Sequence, residues 1–138
     1  MVKTDIALIQ LRKAIQLFNN NDFICSLTLA GAAEEILGKI ALKRKGHNIS
    51  DLDKSFWDGF AELQNFEKVS KEKIMKVSNR LKNELKHNNI GENTWVEGDF
   101  CFSSQDKIDK AINNYLIAYD KFPKDKIINT YVNHNWGT

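Results

Sequence analysis

The chain has 138 residues, of which 42% are hydrophobic and 28% charged, with one proline and seven glycines. That length gives one domain able to bury roughly two-thirds of its unfolded surface, and so little proline excludes long proline-rich linkers. A net charge of +2 is too small to argue for nucleic-acid binding by itself, although Gly38 to His47, "GKIALKRKGH", is locally basic.

Five helical segments are predicted in chain order. The first runs from about Thr4, a good N-cap residue, to Phe18, with Ile6, Ile9, Leu11, Ala14, Ile15 and Phe18 as a broad apolar face. "NNND" stops it, and Asp22 caps the second. From Phe23 to Leu42 apolar residues surround nearly the whole circumference, which predicts a central helix. Lys43, Arg44 and Lys45 complement its dipole, and Gly46 ends it. The third covers about Leu52 to Gln64, with Phe56, Trp57, Phe60 and Leu63 at helical spacing. The fourth runs from about Ser70 to His87, and residues 88–104 read as a loop.

The fifth starts at Ser103 or Ser104 and ends at Phe122, before Pro123. Its predicted buried stripe is Ile108, Ala111, Ile112, Tyr115, Leu116 and Tyr119. The expected architecture is all-α, an up-and-down bundle of four to five helices over residues 1–122. An aromatic tail, 123–138, is expected to pack on the bundle or on a partner.

Cys25 and Cys101 are isolated, with no ligand spacing, and Cys25 is expected as a small buried hydrophobe. No segment approaches the roughly 18 consecutive apolar residues of a membrane span, and no leader pattern opens the chain. The expected location is therefore the cytoplasm, with no membrane association. Three scattered histidines predict no metal site, and no phosphate-binding loop predicts a cofactor.

The fourth segment contains "NRLKNELKHNN", residues 79–89. On a wheel of about 100° per residue, Arg80 and His87 lie two turns apart on one line, with Asn83 and Glu84 between them. Lys73 and Lys76 extend the line. An imidazole can move a proton at a ribose hydroxyl or a leaving oxygen, and a guanidinium can grip the phosphate. Asn83 can orient either. The same residues also describe an ordinary solvated helix face, with Glu84 pairing to its lysine and arginine neighbours.

"SLTLAGAAEEILGKIALKRKG", followed some forty residues later by "NRLKNELKHNN", resembles the HEPN superfamily, and the resemblance runs from about Ile6 to Phe122. Its most specific piece is Arg80-x6-His87. The resemblance implies a metal-independent endoribonuclease of a toxin or antiviral-defence type, working as a homodimer whose paired motifs line one cleft. It assigns Arg80 to the scissile phosphate, His87 to acid or base catalysis, and Asn83 to a polar role within the motif. RNA would be the substrate, with Lys73, Lys76 and Lys86 as RNA-binding cations, and a cognate antitoxin or other partner protein would control it. The motif departs from active members at Leu81, where a polar residue often follows the arginine. It also departs at Asn89, where one toxin class has tyrosine. Non-catalytic HEPN-like modules, which bind a nucleic acid, a nucleotide or a protein, remain the alternative.

Glu34 lies in an apolar line with Phe23, Leu27, Ala30, Leu37 and Ala41, where a carboxylate needs a cation or donor. Arg80 is the expected partner, which would make Glu34 either a support for the site or one half of a structural ion pair. Glu35 is expected to pair with Lys39. His47 is expected in solvent, and Trp57, Trp95 and Trp136 are read as packing residues ahead of stacking platforms.

Overall fold

A computed structural model describes residues 1–52 and 99–136 of the chain. Among these every regular element is an α-helix: α1 (Lys3–Asn19), α2 (Phe23–Lys45), α3 (Phe100–Tyr119) and α4 (Lys126–Asn135). A further helical turn starts at Ile49. The all-α bundle expected from the periodicity is the fold observed. The third and fourth predicted segments lie outside the described residues, apart from this opening turn.

Helix α1 begins one residue before the predicted cap. Val2 occupies the N-cap without a side-chain bond, and the Thr4 hydroxyl is spent on the Tyr119 hydroxyl 2.6 Å away. The three-residue turn to α2 places Asn21 at φ 62°, a left-handed conformation that asparagine tolerates. As predicted, Asp22 caps α2, accepting from the Cys25 amide at 3.2 Å. Gly46 closes the helix at φ 82°, where a side chain would be strained. Asn48 and Asp51 then cap each other reciprocally, Asn48 N donating to Asp51 and Asp51 N to Asn48. The next helix thus starts three residues before the predicted Leu52.

Both boundaries of α3 differ from expectation, and an aspartate stands at each. Asp99, not a serine, is the N-cap, and it accepts from the Phe102 amide at 3.0 Å. Ser103 and Ser104 are buried inside the helix, where Ser104 Oγ donates to the Phe23 carbonyl at 2.6 Å. At the other end Asp120 turns left-handed at φ 59° and stops α3 at Tyr119, short of Phe122. The tail after Pro123 forms α4, capped by Asp125. The segment "IINTYVNHN" places Ile127, Ile128, Tyr131 and Val132 at helical spacing, and Ile128 and Tyr131 are buried against the body.

Helix directions follow from the contacts. Ser104 meets Phe23 at the start of both helices, and Arg44 Nε donates to the Ala118 carbonyl at 2.8 Å near their ends. Helices α2 and α3 therefore lie parallel. Helix α1 runs against both, since Thr4 meets Tyr119 and Ser26 Oγ donates to the Ala14 carbonyl. Helix α4 returns alongside α1, through Arg12–Asp125 and the edge-on pair Phe18–Tyr131.

The core lies where α1, α2 and α3 meet. Leu11, Ile15, Ala30, Ala33, Leu37, Ile108, Ala111 and Ile112 are all fully buried there. Small residues set the spacing of the parallel pair: a Cβ on Gly38 would come within 3.2 Å of the Asn114 amide nitrogen. Asn114 fills that gap and is itself satisfied. Its Oδ1 accepts from Ile49 N at 2.8 Å, and its Nδ2 reaches the Glu34 carbonyl at 3.4 Å.

Candidate functional site

Arg80, Asn83 and His87, and the lysines Lys73, Lys76 and Lys86, lie outside the described residues, as do Trp57 and Trp95. So does the expected Glu34–Arg80 pair. Glu34 itself is half-buried on α2, at the margin of a seam in which Leu27, Ala30, Leu37 and Ala41 are fully buried. Glu35, also half-buried, takes part in a polar or electrostatic interaction, while Lys39 is exposed.

The basic run at the end of α2 is largely committed to the fold. Besides its bond to Ala118, the Arg44 guanidinium stands 4.6 Å over the Tyr119 ring. Lys45 Nζ pairs with Asp120 at 2.6 Å. Because α2 and α3 are parallel, their carbonyl ends converge, and this run neutralises two helix dipoles at once. Lys43 stays exposed, and His47 is half-buried, not fully solvated as expected. Cys25 overturns its expectation outright and is exposed. It stands two residues before buried Leu27, about 160° around the helix from it. The hydrogen bond and negative charge of Asp22 push its thiol up from the ordinary cysteine value.

The densest polar arrangement among the described residues surrounds Asp109. Its Oδ1 accepts from the Tyr131 hydroxyl at 2.8 Å and from Trp136 Nε1 at 2.8 Å. Burial raises the carboxyl pKa, the two donors oppose that shift, and nearby Asp106 adds to it. The same burial, followed by the Asp109 charge, drives the Tyr131 hydroxyl far above its ordinary value, so it remains a donor. On the same helix Lys110 Nζ pairs with Asp106 at 3.1 Å, both largely buried, and buried Lys107 is likewise engaged. With both donors on one oxygen, Asp109 is built to hold α4 in place.

This node escaped sequence reasoning because Asp109 stands in α3 while its donors lie in the tail, 22 and 27 residues later. The available signal was an aspartate beside the apolar stripe, together with two aromatic residues that carry N–H or O–H groups. Trp136 acts as the packing residue it was read to be, sitting edge-on to Phe122 at 6.1 Å between centroids.

No protein-family model, curated protein or solved structure matches the chain. Among the described residues no three His, Cys, Asp or Glu side chains gather to hold a metal ion, and no helix is long and apolar enough to cross a membrane.

Proposed function

We propose that the chain is a HEPN-like, metal-independent endoribonuclease of a toxin or antiviral-defence type, with its site at the cleft of a homodimer. The observation that carries this reading is the sequence spacing Arg80-x6-His87, which on a helix would set a phosphate-binding guanidinium and a proton-transferring imidazole on one face. The all-α bundle, with paired glutamates on its central helix, is consistent with it. In this scheme the 2′-hydroxyl of RNA gives up its proton and attacks the adjacent phosphate, the P–O5′ bond breaks, and a 2′,3′-cyclic phosphate forms as the 5′-oxygen leaves with a proton. Arg80 balances charge on the phosphoryl oxygens, His87 moves the proton, Asn83 and Glu34 position these two groups, and Lys73, Lys76 and Lys86 hold the strand.

A second reading, a non-catalytic HEPN-like module, is favoured by Leu81, which follows the arginine where active members often carry a polar residue. The two separate in one experiment. A mixed RNA pool is incubated with EDTA and either wild type or His87→Ala, each checked as a folded dimer. Cleavage by wild type that leaves cyclic-phosphate ends and is lost in the variant supports the nuclease. Intact RNA with both proteins, the dimer preserved, overturns it in favour of the binding module.

A further inference from the structure

We draw no further inference here: the strongest candidate, the outer face of α1 with exposed Ile6 and Ile9 beside Val2, is an apolar stripe unpartnered among the described residues, and nothing in the structure shows what covers it.

Discussion

The α2–α3 seam and the α4 attachment both bury apolar side chains but differ in what is added to that packing. Along the seam, fully buried alanine, leucine and isoleucine side chains pack beside Gly38, and Asn114, the polar side chain nearest that glycine among the described residues, has partners for its oxygen and its nitrogen. The α4 attachment instead gathers hydrogen-bonding groups around one half-buried carboxylate, with an ion pair and two ring contacts beside it. Apolar packing is non-directional and survives small shifts. A shared acceptor holds only while both donors keep their geometry. The seam should therefore set global stability, and the node should set how tightly α4 is held.

The strongest test of that contrast is Leu37→Ala in the seam, which should cost about 3 kcal/mol through lost burial and the cavity left behind, read as a lower urea midpoint. A loss under about 1 kcal/mol would mean that the seam collapses easily and is not the stability-determining region.

Asp109→Leu should come next, at about 2 kcal/mol, because Tyr131 Oη and Trp136 Nε1 lose their acceptor. Hydrogen exchange should locate the loss: amides of α4 should lose protection well before those of α2. Equal loss in both helices would merge the two regions into one cooperative unit.

A pH series sharpens the comparison further. The folded-state pKa of Asp109 is raised, so the folded chain binds this proton more tightly than the unfolded chain. Its contribution is therefore full below the ordinary aspartate pKa of about 3.9 and is lost as pH rises through the higher folded value. Asp109→Asn keeps an acceptor oxygen but does not titrate. The stability of wild type relative to this variant should thus increase on acidification across that window, measured by paired denaturation curves. A flat difference would show that Asp109 titrates alike in both states.

The smallest effect belongs to the exposed pair at the ends of α2 and α3. Lys45→Ala should cost no more than about 0.5 kcal/mol, since Asp120 is mostly in solvent and water screens the pair. A larger loss would make this pair, and not Arg44 alone, the clamp on the converging helix ends.

Periodicity was enough to specify the helices from Leu11 to Phe18 and from Ile108 to Tyr119, where an apolar stripe recurs every three or four residues. Local chemistry specified the Asp22 cap and the Gly46 stop, because each acts within a few residues of itself. Spacing also proposed Arg80 and His87 as a pair, and both lie outside the described residues. What the chain does with distant groups required the fold. Thr4 was free to cap α1 until Tyr119 came within 2.6 Å, and Ser104 was free to cap α3 until the Phe23 carbonyl arrived. The basic run at Arg44 became a clamp because α3 ends beside it, and Asp109 gained its donors because α4 folds back. A hydroxyl, guanidinium or carboxylate can bond in several directions with similar energy, so sequence fixes which groups are offered, and tertiary packing decides which partner each one meets.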